Sequence, residues 1–241
     1  MKAMIFTGGL ESSPRPRTAL KPKALLEINH EPLLGMLIRR LSEAGFNEII
    51  INVHHFADRI KDFINQENFE GIRIEISDET DLILDSGGGL KKVSWFFNDE
   101  RPFLLYNLEI LSDIDLAGLY CNHSCSGALV TLVVRNRESE RFMLFNEEMN
   151  LCGWENNKTR EYFMARRSDI RLHRYAFSRI QIVSPLIFSL INERGAFSLV
   201  ELYLRLASHH HIRGYPDNES IWMDLAKKEG LLEAEKLFLK N

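Results

Sequence analysis

The densest chemistry in the chain lies between residues 7 and 26. Thr7-Gly8-Gly9 is a turn whose backbone can approach a ligand with no side chain in the way. Pro14-Arg15-Pro16-Arg17 and Lys21-Pro22-Lys23 follow, placing cations in a proline-punctuated loop. Amides that bind oxygens, guanidiniums that make forked contacts and a lysine point charge together describe a cradle for a phosphate tail. A second concentration is Ser86-Gly87-Gly88-Gly89, at the entry to a helix. Three successive glycines serve either a flat base packed on bare backbone or a tight turn at a helix N-terminus, and the residues alone leave both open. Glu109 and Asp224 each follow an apolar run, and two strand-end carboxylates suit a divalent ion held against a phosphate.

Other reactive residue types fit weaker patterns. Cys121, His123 and Cys125 put three possible metal ligands within five residues, one short of a structural zinc set. His209-His210-His211 reads as a solvated helix end. Arg160, Arg166, Arg167 and Arg171 fall in residues 156–171, a polar stretch without periodicity that reads as a long loop and a candidate lid.

The elements that must position these residues alternate. Residues 2–6, 49–53 and 103–106 are apolar runs of the length of buried strands, and residues 72–76 alternate as a half-buried strand does. Between them, Leu33, Leu34, Leu37, Ile38 and Leu41 form a helical stripe ended by Gly45, and Phe56, Ile60, Phe63 and Ile64 form another. Strand and helix at this spacing mean βαβ units and a mainly parallel sheet, whose ligands gather at the carboxyl ends of the strands. Asp113 and Asp115 precede a helix over residues 116–123, and capping is the role expected of both. The second half adds strands at 128–135 and 177–183, a hairpin over 141–155, a helix behind Ser198, and closing segments at 212–216 and 221–225. A last helix is expected over residues 231–239.

At 241 residues, 45% hydrophobic and 27% charged, the chain has the size and composition of one globular α/β unit. A net charge of −4 argues against nucleic-acid binding by bulk electrostatics, while leaving room for a local basic pocket. Three cysteines make no disulfide framework, and no apolar stretch has the length of a leader or a membrane span, so the cytoplasm is expected.

The opening stretch resembles that of the sugar-1-phosphate nucleotidylyltransferases. Their pattern is a strand, then A-A-G-x-G-T-R-x-x-P-x-T, a short gap and P-K. Gly9, Pro16, Thr18 and Pro22-Lys23 fit it, and Glu11, Ser12 and Ser13 stand where that family has G-T-R. Gly88 and Gly89 match its L-x-T-G-G-G run, Asn107-Leu108-Glu109 its N-x-D, Gly153-Trp154-Glu155 its sugar-side hairpin loosely, and Trp222 and Asp224 its W-x-D-V-G-T. Arg179 fills the glycine position of its F-S-G. The resemblance covers nearly the whole chain. It implies a three-layer α/β/α sandwich with a mostly parallel sheet, the nucleotide-diphospho-sugar transferase fold, as one domain over residues 1–241. Within it, residues 1–125 would bind nucleotide and residues 126–241 the sugar.

The implied reaction joins a nucleoside triphosphate and a sugar-1-phosphate, in a monomer or homodimer, with no nucleic acid or membrane as partner. In that scheme Lys23 and Arg15 are catalytic. Thr7, Gly8, Gly9, Gly87, Gly88 and Gly89 bind nucleotide, and Gly153, Glu155 and Arg179 face the sugar phosphate. Glu109 and Asp224 carry magnesium. The substituted loop leaves a second expectation open, a chain of the same fold that binds nucleotide or sugar phosphate without turning it over.

Overall fold

A computed structural model describes residues 1–8, 22–82, 84–166 and 171–227, with 230, 233–234 and 236. Gly9, Arg15, the substituted residues Glu11, Ser12 and Ser13, and the expected last helix lie outside the described residues or largely so. The first strand, β1 (Lys2–Phe6), is buried along its whole length. A short 3-10 turn at Lys23–Leu25 leads into β2 (Glu27–Ile28), β3 (Glu31–Pro32) and α1 (Leu33–Glu43). Then come β4 (Glu48–Val53), α2 (Ala57–Glu67), β5 (Arg73–Asp78), α3 (Asp85–Lys92), β6 (Phe103–Asn107), β7 (Ile110–Ser112) and α4 (Leu116–Ser126). The second half holds β8 (Val130–Arg135), β9 (Arg141–Phe145), β10 (Leu151–Asn156), β11 (Glu161–Met164), β12 (His173–Val183), α5 (Ile187–Leu190), α6 (Leu199–Ala207), β13 (Ile212–Pro216) and β14 (Trp222–Asp224).

One sheet runs β11-β10-β9-β12-β6-β1-β4-β5, with β8 beside β12 and β13 beside β8. β1 pairs parallel with both β4 and β6, and β5 extends β4 in parallel, as the βαβ pattern predicts. β12 enters antiparallel against β6 and joins the two halves of the chain. The period-two alternation of β1 splits the core: Ala3 and Ile5 pack with α1, α2 and α4, while Met4 and Phe6 pack with α3 and α6. Helices therefore cover both faces, and the three-layer expectation holds. The stripe read in α1 is its buried face, and Gly45, at φ +88°, takes the left-handed turn that ends it.

The candidate lid contains a strand and a turn among its described residues. β10 continues through Asn156, a four-residue turn follows, and β11 pairs back antiparallel, Gly153 opposite Met164. The Asn156 side chain accepts from the amides of Lys158 (2.9 Å) and Thr159 (3.2 Å), a local turn that the polar composition disguised as loop. Arg166 is committed elsewhere, donating to the carbonyls of Ala207, the last residue of α6, and of His210 just past it. Arg167 is outside the described residues. Capping falls to Asp115 alone, whose carboxylate takes the Gly118 amide at 2.9 Å; Asp113 instead holds the Ile221 amide at 2.6 Å. His123 is buried on the Thr131 hydroxyl at 2.8 Å, with burial holding its pKa down at about 4, whereas Cys121 and Cys125 are exposed.

Candidate active site

Parallel register brings the ends of the central strands level. Phe6 sits opposite Asn52 on one side and Asn107 on the other, and Asn52 sits opposite Ser77. The residues just past these positions share the carboxyl edge: Thr7 and Gly8 after β1, His54 after β4, Glu79 after β5, and Glu109 after β6. Thr7 is fixed there by its hydroxyl, which donates to the Asn52 carbonyl at 2.7 Å.

The acidic corner is assembled from three separate parts of the chain. β14 pairs antiparallel with β7, placing Asp224 opposite Ile110, and the Leu225 amide donates to the Glu109 carbonyl at 2.8 Å. The backbones of Glu109 and Asp224, the two acidic residues read from the sequence, are thus brought close in one small ribbon. Asp113, by holding the Ile221 amide, anchors the entry to that ribbon. Arg179 then donates to the Glu109 carboxylate. It sits where β12 breaks register against β8, between Phe177 and Gln181, and its φ is +60°. That left-handed conformation is one glycine takes freely and a long side chain takes at a cost of about 1 kcal/mol or more.

Two neighbours hold the break open. Arg137 donates to the Phe177 carbonyl at 3.1 Å and lies 4.1 Å over the Trp222 ring, and the Trp222 indole donates to the Ser178 carbonyl at 3.1 Å. Burial lowers the Arg137 pKa from its usual value. The Asp224 charge opposes that, and Arg179 and Arg135 add to it. Two guanidiniums therefore stand among two carboxylates. Sequence reading missed Arg137 altogether, since an arginine just past a strand carries no motif.

The glycine run meets protein on its bare faces. A Cβ on Gly87 would lie 2.3 Å from the Phe197 ring, one on Gly88 2.5 Å from the Gly195 carbonyl, and one on Gly89 2.9 Å from a Glu79 oxygen. The Gly87 amide also donates to the Phe197 carbonyl at 2.9 Å. Of the two explanations for these glycines, close packing is the one with contacts on it, so the run shapes the wall behind the edge. Gly153 has a similar reason, since a Cβ there would meet the Phe163 carbonyl at 2.4 Å. Glu155 pairs with Arg174 at 3.0 Å, and β10, which carries both Gly153 and Glu155, is separated from β6 by β9 and β12. Neither is brought to Glu109.

Behind the glycines lies a buried polar group that sequence reading did not single out. The fully buried Glu79 carboxylate accepts from the Asn52 amide group and, at 3.4 Å, from the Leu84 amide, with the His54 ring 3.6 Å away. Burial pushes the Glu79 pKa up and the His54 pKa down, the latter aided by His55. The signal was present, because Asn52 interrupts the run Ile49-Ile50-Ile51 of a buried strand and needs a partner there. Lys23 opens the 3-10 turn packed against α1, and its ammonium makes no ion pair with a described residue.

Among the described residues no three His, Cys, Asp or Glu side chains group around a metal position. Magnesium, however, keeps several waters and uses one or two carboxylates together with substrate phosphates. Glu109, just before β7, and Asp224, in its partner β14, are both partly exposed and fit that demand in number and in donor type.

In an open α/β sheet ligands bind outside the carboxyl ends of the parallel strands, and here that edge carries both cations and carboxylates. The chain belongs to the nucleotidyl transferase family, whose pattern matches residues 2–143. It is 27% identical over 248 residues to an N-acetylmuramate alpha-1-phosphate uridylyltransferase of Caulobacter vibrioides, covering 97% of this chain and 95% of that one. A protein of the same name from Neisseria meningitidis serogroup B is 35% identical over 120 residues, covering 50% of this chain and 52% of that one. A solved UDP-glucose pyrophosphorylase bound to UDP-glucose superposes with a TM-score of 0.77 at 16% identity, covering 100% of this chain and 99% of that one, a likeness of fold. The relatives are sugar-1-phosphate nucleotidyltransferases, and the resemblance read from the opening loop is borne out.

Proposed function

We propose that this chain transfers a nucleotidyl group from a nucleoside triphosphate to a sugar-1-phosphate, releasing pyrophosphate and an NDP-sugar. The observation that carries this reading is the meeting of Glu109, Asp224, Arg179 and Arg137 at the carboxyl edge beside Thr7 and Gly8. Attack by the sugar-phosphate oxygen on the α-phosphorus needs alignment and charge neutralisation more than a protein acid or base. Lys23 and Arg15 supply cations to the triphosphate, and Gly8 and Gly9 let the backbone approach it. Gly87, Gly88 and Gly89 wall the nucleotide side, and Arg179 serves the sugar phosphate, while Gly153 and Glu155 shape the sugar side only at a distance. Glu109 and Asp224 would hold magnesium, which when bound neutralises phosphate oxygens.

Pyrophosphate release across a panel of nucleoside triphosphates and sugar-1-phosphates tests the reading. One productive combination is expected, with Lys23→Ala lowering its kcat/KM about 10²- to 10³-fold, the range for removing one transition-state contact. Silence across the panel, or an unaffected Lys23→Ala, overturns it.

A further inference from the structure

Arg179 holds the carboxylate that the proposed function assigns to a divalent ion. The Arg179 guanidinium rests on Glu109, at a backbone position held in the left-handed region at φ +60°. That conformation is not an accident of a loose loop. The carbonyls of Phe177 and Ser178, immediately before it, are each captured, one by Arg137 and one by the Trp222 indole. The backbone keeps a shape suited to glycine, while the side chain is one that reaches across to Glu109. The Arg179 side chain is still 40% exposed, so the rest of its fork faces solvent at the carboxyl edge, and Glu109 is 18% exposed.

We propose that Arg179 is a built-in competitor of the metal, occupying Glu109 until a phosphate group draws the guanidinium away. A phosphate offers the same forked acceptor geometry as a carboxylate, with more charge. When the sugar phosphate takes Arg179, Glu109 is released to stand with Asp224 toward the ion. Each event favours the other, and by linkage the coupling is reciprocal: the phosphate tightens the metal and the metal tightens the phosphate. Arg137 does not substitute for Arg179 in this exchange, because its fork is engaged with the carbonyls of Phe177 and Glu138 and lies over the Trp222 ring. The inference deepens the proposed function but is tested without turnover.

The probe is Mn²⁺, followed by electron paramagnetic resonance of the free ion, with and without glucose-1-phosphate, after correction for Mn²⁺ bound by the sugar phosphate itself. Wild type is expected to bind Mn²⁺ weakly alone and several-fold more tightly with the sugar phosphate. Arg179→Gly keeps the φ angle at no cost, so it should fold, and circular dichroism checks that. It should bind Mn²⁺ about tenfold more tightly than wild type without sugar phosphate, and lose the enhancement. Adding Glu109→Gln to Arg179→Gly should remove the gain. Equal Mn²⁺ affinity in wild type and Arg179→Gly overturns the proposal, as does a gain that survives Glu109→Gln. Failure of pyrophosphate release with these binding results intact would remove the enzymatic reading and leave the competition standing.

Discussion

Gly88→Ala separates the two explanations of the glycine run. The added Cβ would lie 2.5 Å from the Gly195 carbonyl oxygen and 3.0 Å from the Leu84 Cβ, where ordinary contact begins near 3.4 Å. The nearest obstacle is backbone, and the neighbouring segment is tied to the entry of α3 by the Gly87 amide on the Phe197 carbonyl and the Phe197 amide on the Leu84 carbonyl. It cannot swing aside as a side-chain tip would. Forcing a methyl into such a contact costs about 1–3 kcal/mol. Replacing a helical glycine by alanine returns about 0.5–1 kcal/mol of that through helix propensity. The net expectation lies between about 0 and 2.5 kcal/mol and centres on a loss of about 1 kcal/mol, or a fall of about 2–4 °C in Tm for a chain of this size. Differential scanning calorimetry measures it, with isothermal titration of nucleoside triphosphate alongside. A variant as stable as wild type that has lost nucleotide affinity would refute the packing argument, and would assign the bare face of Gly88 to a bound base.

Two further outcomes follow from groups around the edge. Burial raises the Glu79 pKa, so the folded chain holds that proton to higher pH than the unfolded chain does. The contribution to stability is fully present below the unfolded value of about 4.5 and is lost as pH rises through the folded value. Urea unfolding of wild type should therefore gain on Glu79→Gln as pH is lowered from 7 toward 4.5, and parallel profiles would contradict the assignment. Arg137→Ala removes a charged donor from the Phe177 carbonyl and a cation from the Trp222 ring, together worth about 2–3 kcal/mol. Equilibrium unfolding should show that loss, and Arg137→Lys should recover less than half of it because an ammonium does not reproduce the planar stack.

The parts of the fold legible in the sequence were those with strong periodicity. The central strands, α1 and the β9–β10 hairpin all read from apolar spacing, because burial on one or both faces leaves a pattern in residue type. β11 did not, because three of its four residues are exposed and the turn before it relies on an Asn side chain rather than on glycine. The site divides in the same way. Glu109 and Asp224 were singled out because each follows an apolar run and falls at an acidic position of the family that the chain resembles, whereas their adjacency depends on a β7–β14 pairing between residues more than a hundred positions apart. Glu79 obeys the same strand-end rule as Glu109. It was passed over because Ser77 and Asp78 before it made the end of β5 look like ordinary surface.

Arg179 shows how a departure from a family pattern can be read physically. The resemblance expects glycine at this position, and an arginine there looks from sequence like a narrowed pocket or a new cation. The structure keeps the glycine-like backbone angle, which the Arg137 and Trp222 contacts to the two preceding carbonyls enforce, and so it retains the bend for which the glycine would be needed. What changes is charge. Glu109, one methylene longer than the aspartate expected there, reaches a guanidinium that glycine could not offer, so the two substitutions meet in one ion pair. With Glu109 18% exposed and Arg179 40% exposed, this pair is too open to contribute much stability by itself. Its consequence is for the site: the acidic corner carries its own counter-charge until a more strongly charged acceptor arrives.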